Sequence, residues 1–102
     1  MKQKIKKIIN KKNKSKIVCL TAYSKSFAKI LDKFCHIVLV GDSVANVLYG
    51  LDSTHKISLK NIIQHTQSVK KAISKSLLVV DMPKGTYQSK KQAKKNAKLV
   101  MK

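Results

Sequence analysis

Three short runs of consecutive apolar residues constrain the fold more than any other feature of this sequence. The runs cover Ile17–Leu20, Ile37–Val40 and Leu77–Val80, and a stretch with helical spacing follows each of them. Strands that are apolar throughout, with a helix between one strand and the next, are typical of a parallel sheet covered on both faces. The sequence therefore predicts an α/β protein built from three successive βα units.

The helical stretches are defined by apolar residues spaced three and four positions apart. The three stripes are Phe27, Ile30, Leu31 and Phe34; then Leu59, Ile62, Ile63, Thr66, Val69, Ala72 and Ile73; then Ala93, Ala97, Val100 and Met101. Ser58 is a predicted N-cap for the second helix, and Ser89 with Gln92 forms the sequence pattern of a capping box at the third. The strands and helices thus alternate along the chain.

A chain of 102 residues holds at most one small domain. We expect residues 1–15 to form a Lys-rich leading helix or tail and residues 16–102 to form the βα domain. Periodicity alone does not choose between a doubly wound sheet and a (β/α)₈ barrel, of which three units would be an incomplete part. Neither a G-x-G-x-x-G pattern nor a P-loop pattern follows a predicted strand. This argues against a dinucleotide-binding fold and against a P-loop nucleotide-binding fold.

The charge of the chain is strongly positive, with 23 basic against 4 acidic residues and a formal net charge of +19. Clustered lysines suit nucleic acids and other polyanions. However, every basic residue is Lys and aromatic residues make up only 5%, so the arginine forks and stacking platforms of nucleic-acid sites are missing. Compositional drift is the favoured interpretation, and a Lys-rich polyanion-binding protein is the alternative from a different functional class.

The cysteines and histidines show no spacing typical of a metal site or a disulfide framework. We predict buried free thiols for Cys19 and Cys35, and structural or surface roles for the three histidines. No apolar run approaches the roughly 20 residues that span a bilayer, and no signal-peptide pattern opens the chain. The expectation is a cytoplasmic protein without a membrane role.

Two of the four aspartates, Asp42 and Asp81, directly follow the second and third apolar runs. Because α/β proteins assemble their sites at the carboxyl ends of strands, and neighbouring strands lie about 4.8 Å apart, both carboxylates could reach one hard cation. Mg²⁺ commonly takes one or two carboxylates together with water and substrate oxygens. The alternative is that each aspartate only caps a turn or helix, and spacing alone leaves both interpretations open.

Several short strings occur in an order and spacing that resembles the ketopantoate hydroxymethyltransferase family. The strings are Leu20-Thr21-Ala22-Tyr23, Val38-Leu39-Val40-Gly41-Asp42-Ser43, Asp52-Ser53-Thr54, His65-Thr66, Asp81-Met82-Pro83 and Gly85-Thr86-Tyr87. Each is short, but they occur without a spacing error in a match that runs from about Lys16 to the last residue. The specificity of the resemblance comes from this joint match.

The resemblance implies the first three βα units of a (β/α)₈ barrel of the phosphoenolpyruvate/pyruvate superfamily. It also implies a Mg²⁺-dependent, usually decameric transferase of pantothenate biosynthesis. Such an enzyme moves a one-carbon unit from 5,10-methylenetetrahydrofolate to the keto acid 3-methyl-2-oxobutanoate and so makes ketopantoate. By the same resemblance, Asp42 and Asp81 match metal ligands, and Asp42, Ser43 and Asp81 match substrate-binding residues.

The chain departs from the family pattern at Ala45, where the family has Gly, and at Lys84, where it has an apolar residue. We expect strain at Ala45 if its backbone needs a positive φ, and an added positive charge near the site from Lys84. The resemblance places the family's catalytic base, a glutamate, in a later unit, and this sequence contains no glutamate. The expectation is a truncated or split form, inactive alone, that a C-terminal chain could complete.

Overall fold

The computed structural model describes residues 1–102 and confirms an α/β architecture with one parallel sheet. The helices are α1 (Lys2–Ile9), α2 (Lys25–Leu31), α3 (Val44–Val47), α4 (Leu59–Lys70) and α5 (Lys90–Val100). The strands are β1 (Cys19–Thr21), β2 (Ile37–Val40) and β3 (Leu77–Val80), and a short 3₁₀ turn covers Thr54–Lys56. The strands pair in the order β1-β2-β3, so each βα unit adds the next strand to the same sheet.

The bounds of β2 and β3 agree with the apolar runs, whereas those of β1 do not. β1 begins two residues later than predicted and extends to Thr21, while Ile17 and Val18 are each 42% exposed. Val18 is still tied to the sheet, since its carbonyl oxygen accepts from the N–H groups of His36 and Ile37. His36 returns a bond through Nδ1, which accepts from the Val18 N–H at 2.9 Å, and this confirms a structural role for that histidine.

The helices cover one face of the sheet and form the main core with it. Val38 and Val40 of β2 are fully buried against Ala28 of α2 and Val69 of α4. Ile62 of α4 is fully buried in a second cluster next to Val44 and Ala45. The stripe predicted for α4 is thereby confirmed, because its buried residues are Ile62, Thr66 and Val69. The core thus consists of two small clusters, and Val80 of β3 packs against both of them.

The expectation that the sheet is covered on both faces is wrong, because the face opposite the helices is open. The residues that point away from the helices are partly or fully exposed: Cys19, Thr21, Ile37, Leu39, Leu77 and Val79. The predicted burial of Cys19 fails for this reason, because this thiol lies on the open face of an edge strand. Only Cys35 is buried, and that burial raises the pKa of its thiol, with Cys19 and Asp32 adding to the effect.

The helix predicted from the first stripe is present as α2, but of the four stripe residues only Leu31 packs against the core. Phe27, Ile30 and Phe34 are 64%, 59% and 71% exposed, and Ala28 is the buried residue of this helix. α2 packs on the core through Ala28 and the half-buried Leu31, and the aromatic rings of the stripe lie outside this contact. The other large residues of the stripe therefore face outwards.

The predicted helix caps are present. Ser58 and Asn61 make a reciprocal capping box at α4, with the Ser58 Oγ accepting from the Asn61 N–H at 3.1 Å. At α5 the Ser89 Oγ accepts from the Gln92 N–H at 3.1 Å, but the Gln92 side chain reaches back to the Gln88 N–H instead of that of Ser89. Both helices thus begin where the sequence predicts.

A buried aspartate joins the end of α2 to the segment before β3, at the edge of the sheet opposite the carboxyl ends of the strands. Asp32, at the end of α2, is 6% exposed and accepts from the consecutive N–H groups of Ser74, Lys75 and Ser76. Burial alone would raise the pKa of this carboxyl, but these backbone donors and the Ser74 hydroxyl outweigh it and hold the pKa well below its usual range. The residue fixes the entry into β3.

Candidate functional site

The carboxyl ends of β2 and β3 bring Asp42 and Asp81 together, as their positions in the sequence predicted. β2 and β3 pair in register from Ile37 and Leu77 to Val40 and Val80, so the two aspartates follow paired strands. The Asp42 N–H donates to the Oδ2 of Asp81 at 3.1 Å. This bond holds the Asp81 carboxylate against the start of the loop that carries Asp42 and Ser43, and all three residues are partly buried.

Gly41 leaves space beside the Ser43 hydroxyl and the Asp81 carboxylate. A Cβ at this position would lie 3.3 Å from the Ser43 Oγ and 3.4 Å from the Asp81 Oδ2. The Cβ would therefore fill part of the space between the serine hydroxyl and the carboxylate. Glycine here leaves both oxygens facing the same small space, which suits the oxygen-rich coordination of a hard cation or a polar substrate.

Ser43 is held by a tyrosine from the end of β1. The Tyr23 hydroxyl and the Ser43 Oγ are 2.6 Å apart, and the two side chains are partly buried. Ser43 begins α3 but makes no side-chain capping bond to that helix. Its hydroxyl is therefore not used by local structure and is oriented by Tyr23 alone.

Tyr23 is held in turn by His65 of α4. The His65 Nδ1 lies 2.8 Å from the Tyr23 carbonyl oxygen, and its Nε2 lies 2.7 Å from the Tyr49 hydroxyl. Sequence reasoning gave His65 a structural or surface role, which these bonds confirm, but it did not connect the residue to the strand ends. The shared strings Leu20–Tyr23 and His65-Thr66 were the signal that could have suggested the link.

The donor set of this site suits a cation that completes its shell with other ligands. The chain brings no group of three or more His, Cys, Asp or Glu residues together as a metal site. Two carboxylates from neighbouring strand ends are nevertheless the number that Mg²⁺ often takes from a protein, with waters and substrate oxygens as its remaining ligands. The capping alternative is not what the bonds show, since the Asp81 carboxylate accepts the Asp42 N–H of the neighbouring strand end and not an N–H of the turn that follows Asp81.

The two departures from the family pattern are accommodated without backbone strain. Ala45 lies within α3, is fully buried, and packs in the cluster with Val44, Ile57 and Ile62. Asn13 is the non-glycine residue with a positive φ, so the strain expected at Ala45 is absent. Lys84 is exposed and follows the buried Pro83.

None of the helices combines the length and the apolar character that crossing a bilayer requires.

A family model described as ketopantoate hydroxymethyltransferase matches residues 2–102. Similar curated proteins carry the name 3-methyl-2-oxobutanoate hydroxymethyltransferase. The protein of Pelagibacter ubique (strain HTCC1062) is 52% identical over 101 residues, which cover 99% of this chain and 39% of that protein. Those of Anaplasma marginale (strain St. Maries) and Chelativorans sp. (strain BNC1) are 47% and 46% identical, over 89% and 92% of this chain.

The chain spans 39%, 33% and 34% of the lengths of these three relatives. The matched part includes the three strands, the paired aspartates and the Tyr23–Ser43 contact. The family model leaves out only the first residue. With the match covering nearly all of its residues, the chain belongs to the ketopantoate hydroxymethyltransferase family.

Proposed function

We propose that this chain supplies the metal-binding and keto-acid-binding half-site of a 3-methyl-2-oxobutanoate hydroxymethyltransferase. The observation that carries the proposal is the bond from the Asp42 N–H to the Asp81 carboxylate, which joins two strand-end aspartates in a chain that matches the family. In this proposal the three units form the first part of a (β/α)₈ barrel. Their open sheet face is the side that would line the barrel interior.

The residues at the strand ends have separate roles. Asp42 and Asp81 would hold Mg²⁺ and bind the keto acid, and the Ser43 hydroxyl would donate a hydrogen bond to the carboxylate of the keto acid. When bound, Mg²⁺ would polarise the 2-oxo group as a Lewis acid and so make the proton on C3 easier to remove. Gly41 keeps Ser43 and Asp81 close enough to share one small substrate.

The overall reaction forms a bond between C3 of the keto acid and the one-carbon unit of 5,10-methylenetetrahydrofolate. The proton on C3 leaves to a base, the bonds between the one-carbon unit and the folate nitrogens break, and water supplies the hydroxyl of the product. The only carboxylates among residues 1–102 are the four aspartates. Asp42 and Asp81 are used as ligands, and Asp32 is fixed by its hydrogen bonds at the other end of the sheet. Asp52 is exposed and lies outside the strand ends. We therefore assign binding, and not proton removal, to these residues, and completion of the site to further βα units in a cytoplasmic homo-oligomer.

Calorimetric titration of 3-methyl-2-oxobutanoate into the chain, with and without Mg²⁺, tests this assignment. We expect Mg²⁺-dependent binding that Asp42→Asn and Asp81→Asn each weaken by more than tenfold, since each removes one charged ligand. Asp52→Asn is the matched control, because Asp52 is exposed and lies outside the strand ends. Binding that is indifferent to Mg²⁺, or that all three variants weaken equally, would refute the proposal.

A further inference from the structure

We infer that Tyr23 and His65 are positioning residues that fix the direction in which Ser43 presents its hydroxyl proton to the substrate carboxylate. This inference rests on the proposed role of Ser43. It concerns two residues that neither ligate nor cap anything at the strand ends. Tyr23 contacts the Ser43 hydroxyl through its own hydroxyl, and His65 contacts the backbone carbonyl of Tyr23.

The tautomer of His65 follows from its two partners. A carbonyl oxygen only accepts, so the contact of 2.8 Å between His65 Nδ1 and the Tyr23 carbonyl requires a proton on Nδ1. In the neutral ring, Nε2 is then an acceptor, and the Tyr49 hydroxyl at 2.7 Å donates to it. His65 is thus held from both sides and anchors the backbone of Tyr23 to α4.

The proton between Tyr23 and Ser43 belongs to the Tyr23 hydroxyl when Ser43 donates to the substrate. A substrate carboxylate is acceptor-only, so Ser43 must donate its single hydroxyl proton to it. The Ser43 Oγ can then only accept from the Tyr23 hydroxyl, which lies 2.6 Å away. The phenol therefore prevents the serine rotor from turning its proton elsewhere, and the anchored backbone of Tyr23 keeps the phenol in place. Tyr23 therefore donates to Ser43, and Ser43 donates to the substrate.

If Tyr23 acts through Ser43, the effects of Tyr23→Phe and Ser43→Ala on substrate binding should not add. A merely structural role for Tyr23 would give additive effects. Tyr23→Phe keeps the ring and removes only the hydroxyl, so we expect affinity for 3-methyl-2-oxobutanoate in the presence of Mg²⁺ to fall on the order of five- to tenfold. Ser43→Ala removes the donor itself and should lower affinity at least as much. In the double variant the loss should equal that of Ser43→Ala alone, because Tyr23 then has nothing to orient.

Tyr87→Phe is the control for the loss of a phenol hydroxyl, since Tyr87 is 55% exposed and its hydroxyl makes no hydrogen bond. At position 65, we expect His65→Leu to weaken binding like Tyr23→Phe. His65→Asn should restore it, because the amide N–H can replace the Nδ1 donor to the Tyr23 carbonyl. The melting temperature of each variant shows whether a loss of binding follows a loss of folding.

The titrations distinguish a failure of the proposed function from a failure of the positioning role alone. If the unaltered chain does not bind the keto acid with Mg²⁺, the proposed function fails and this role fails with it. If the unaltered chain binds but Tyr23→Phe binds equally well, or if its effect simply adds to that of Ser43→Ala, only the positioning role is overturned. Non-additive loss, with rescue by His65→Asn, is the result that the geometry predicts.

Discussion

Replacing Asp32 should destabilise the chain more than any other single substitution of an acidic residue. The carboxylate accepts the N–H groups of Ser74, Lys75 and Ser76 at 2.8 to 3.1 Å and the Ser74 hydroxyl at 2.9 Å. It also lies at the end of α2, where a negative charge is unfavourable for the helix dipole. The hydrogen-bond donors therefore offset both the burial of this charge and its unfavourable position, and they tie α2 to the residues before β3.

The size of the effect follows from which donors lose their partner. Ser76 is 1% exposed and its N–H has no other acceptor, so Asp32→Ala leaves a buried donor unsatisfied at a cost of about 1–3 kcal/mol. Water can reach the exposed Ser74 and Lys75, whose bonds to a charged acceptor contribute on the order of 1 kcal/mol each. The sum is about 3–5 kcal/mol, a large part of the roughly 5–15 kcal/mol that stabilises an ordinary domain.

Urea unfolding followed by circular dichroism measures this loss, with Asp32→Asn as a milder variant that should stay folded. Because the folded-state pKa of Asp32 lies below the unfolded value, its contribution is complete above about pH 4 and is lost as the pH falls through the folded value. The difference between the unaltered chain and Asp32→Asn should therefore shrink in strong acid. The exposed Asp52→Asn is the control, and a loss at pH 7 no larger than that of this control would refute the reasoning.

Three further outcomes are expected. Gly41→Ala should weaken keto-acid binding by about three- to tenfold in calorimetry, since its Cβ displaces the Ser43 Oγ by a few tenths of an ångström, and unchanged affinity would contradict this. The 102-residue chain alone should form no ketopantoate in a folate-coupled assay, because the missing proton transfer is typically worth about 10² to 10⁴-fold; turnover abolished by Asp42→Ala would show otherwise. Association with duplex DNA, followed by fluorescence anisotropy, should be independent of sequence and disappear by about physiological salt, and tight binding in high salt would favour a polyanion-binding protein.

The sequence predicted the parallel α/β order and the meeting of Asp42 with Asp81 because both follow from local patterns. A run of four apolar residues identifies a strand, and the carboxyl ends of paired parallel strands share one edge. The caps at Ser58 and Ser89 were equally predictable, since capping depends on residues within one turn.

The features that could not be predicted depend on contacts between distant segments. The exposure of Phe27 and Phe34 depends on which face of α2 packs against the core, and helical spacing alone does not decide between Ala28 and the larger residues. The role of Asp32 depends on three N–H groups about 42 to 44 positions along the chain. The contacts of His65 with Tyr23 and Tyr49 likewise join α4 to two separate loops.

Joining residues 1–102 to the part of the Pelagibacter ubique relative that follows its matched portion tests the central claim most directly. The proposed function predicts that this fusion converts 3-methyl-2-oxobutanoate to ketopantoate with 5,10-methylenetetrahydrofolate and Mg²⁺. It also predicts that Asp42→Asn or Asp81→Asn lowers the rate by at least about 10²-fold while Asp52→Asn does not, since only the first two remove a charged ligand of the metal. A folded fusion that stays inactive while the intact relative turns over, or one that Asp42→Asn leaves fully active, would contradict the account.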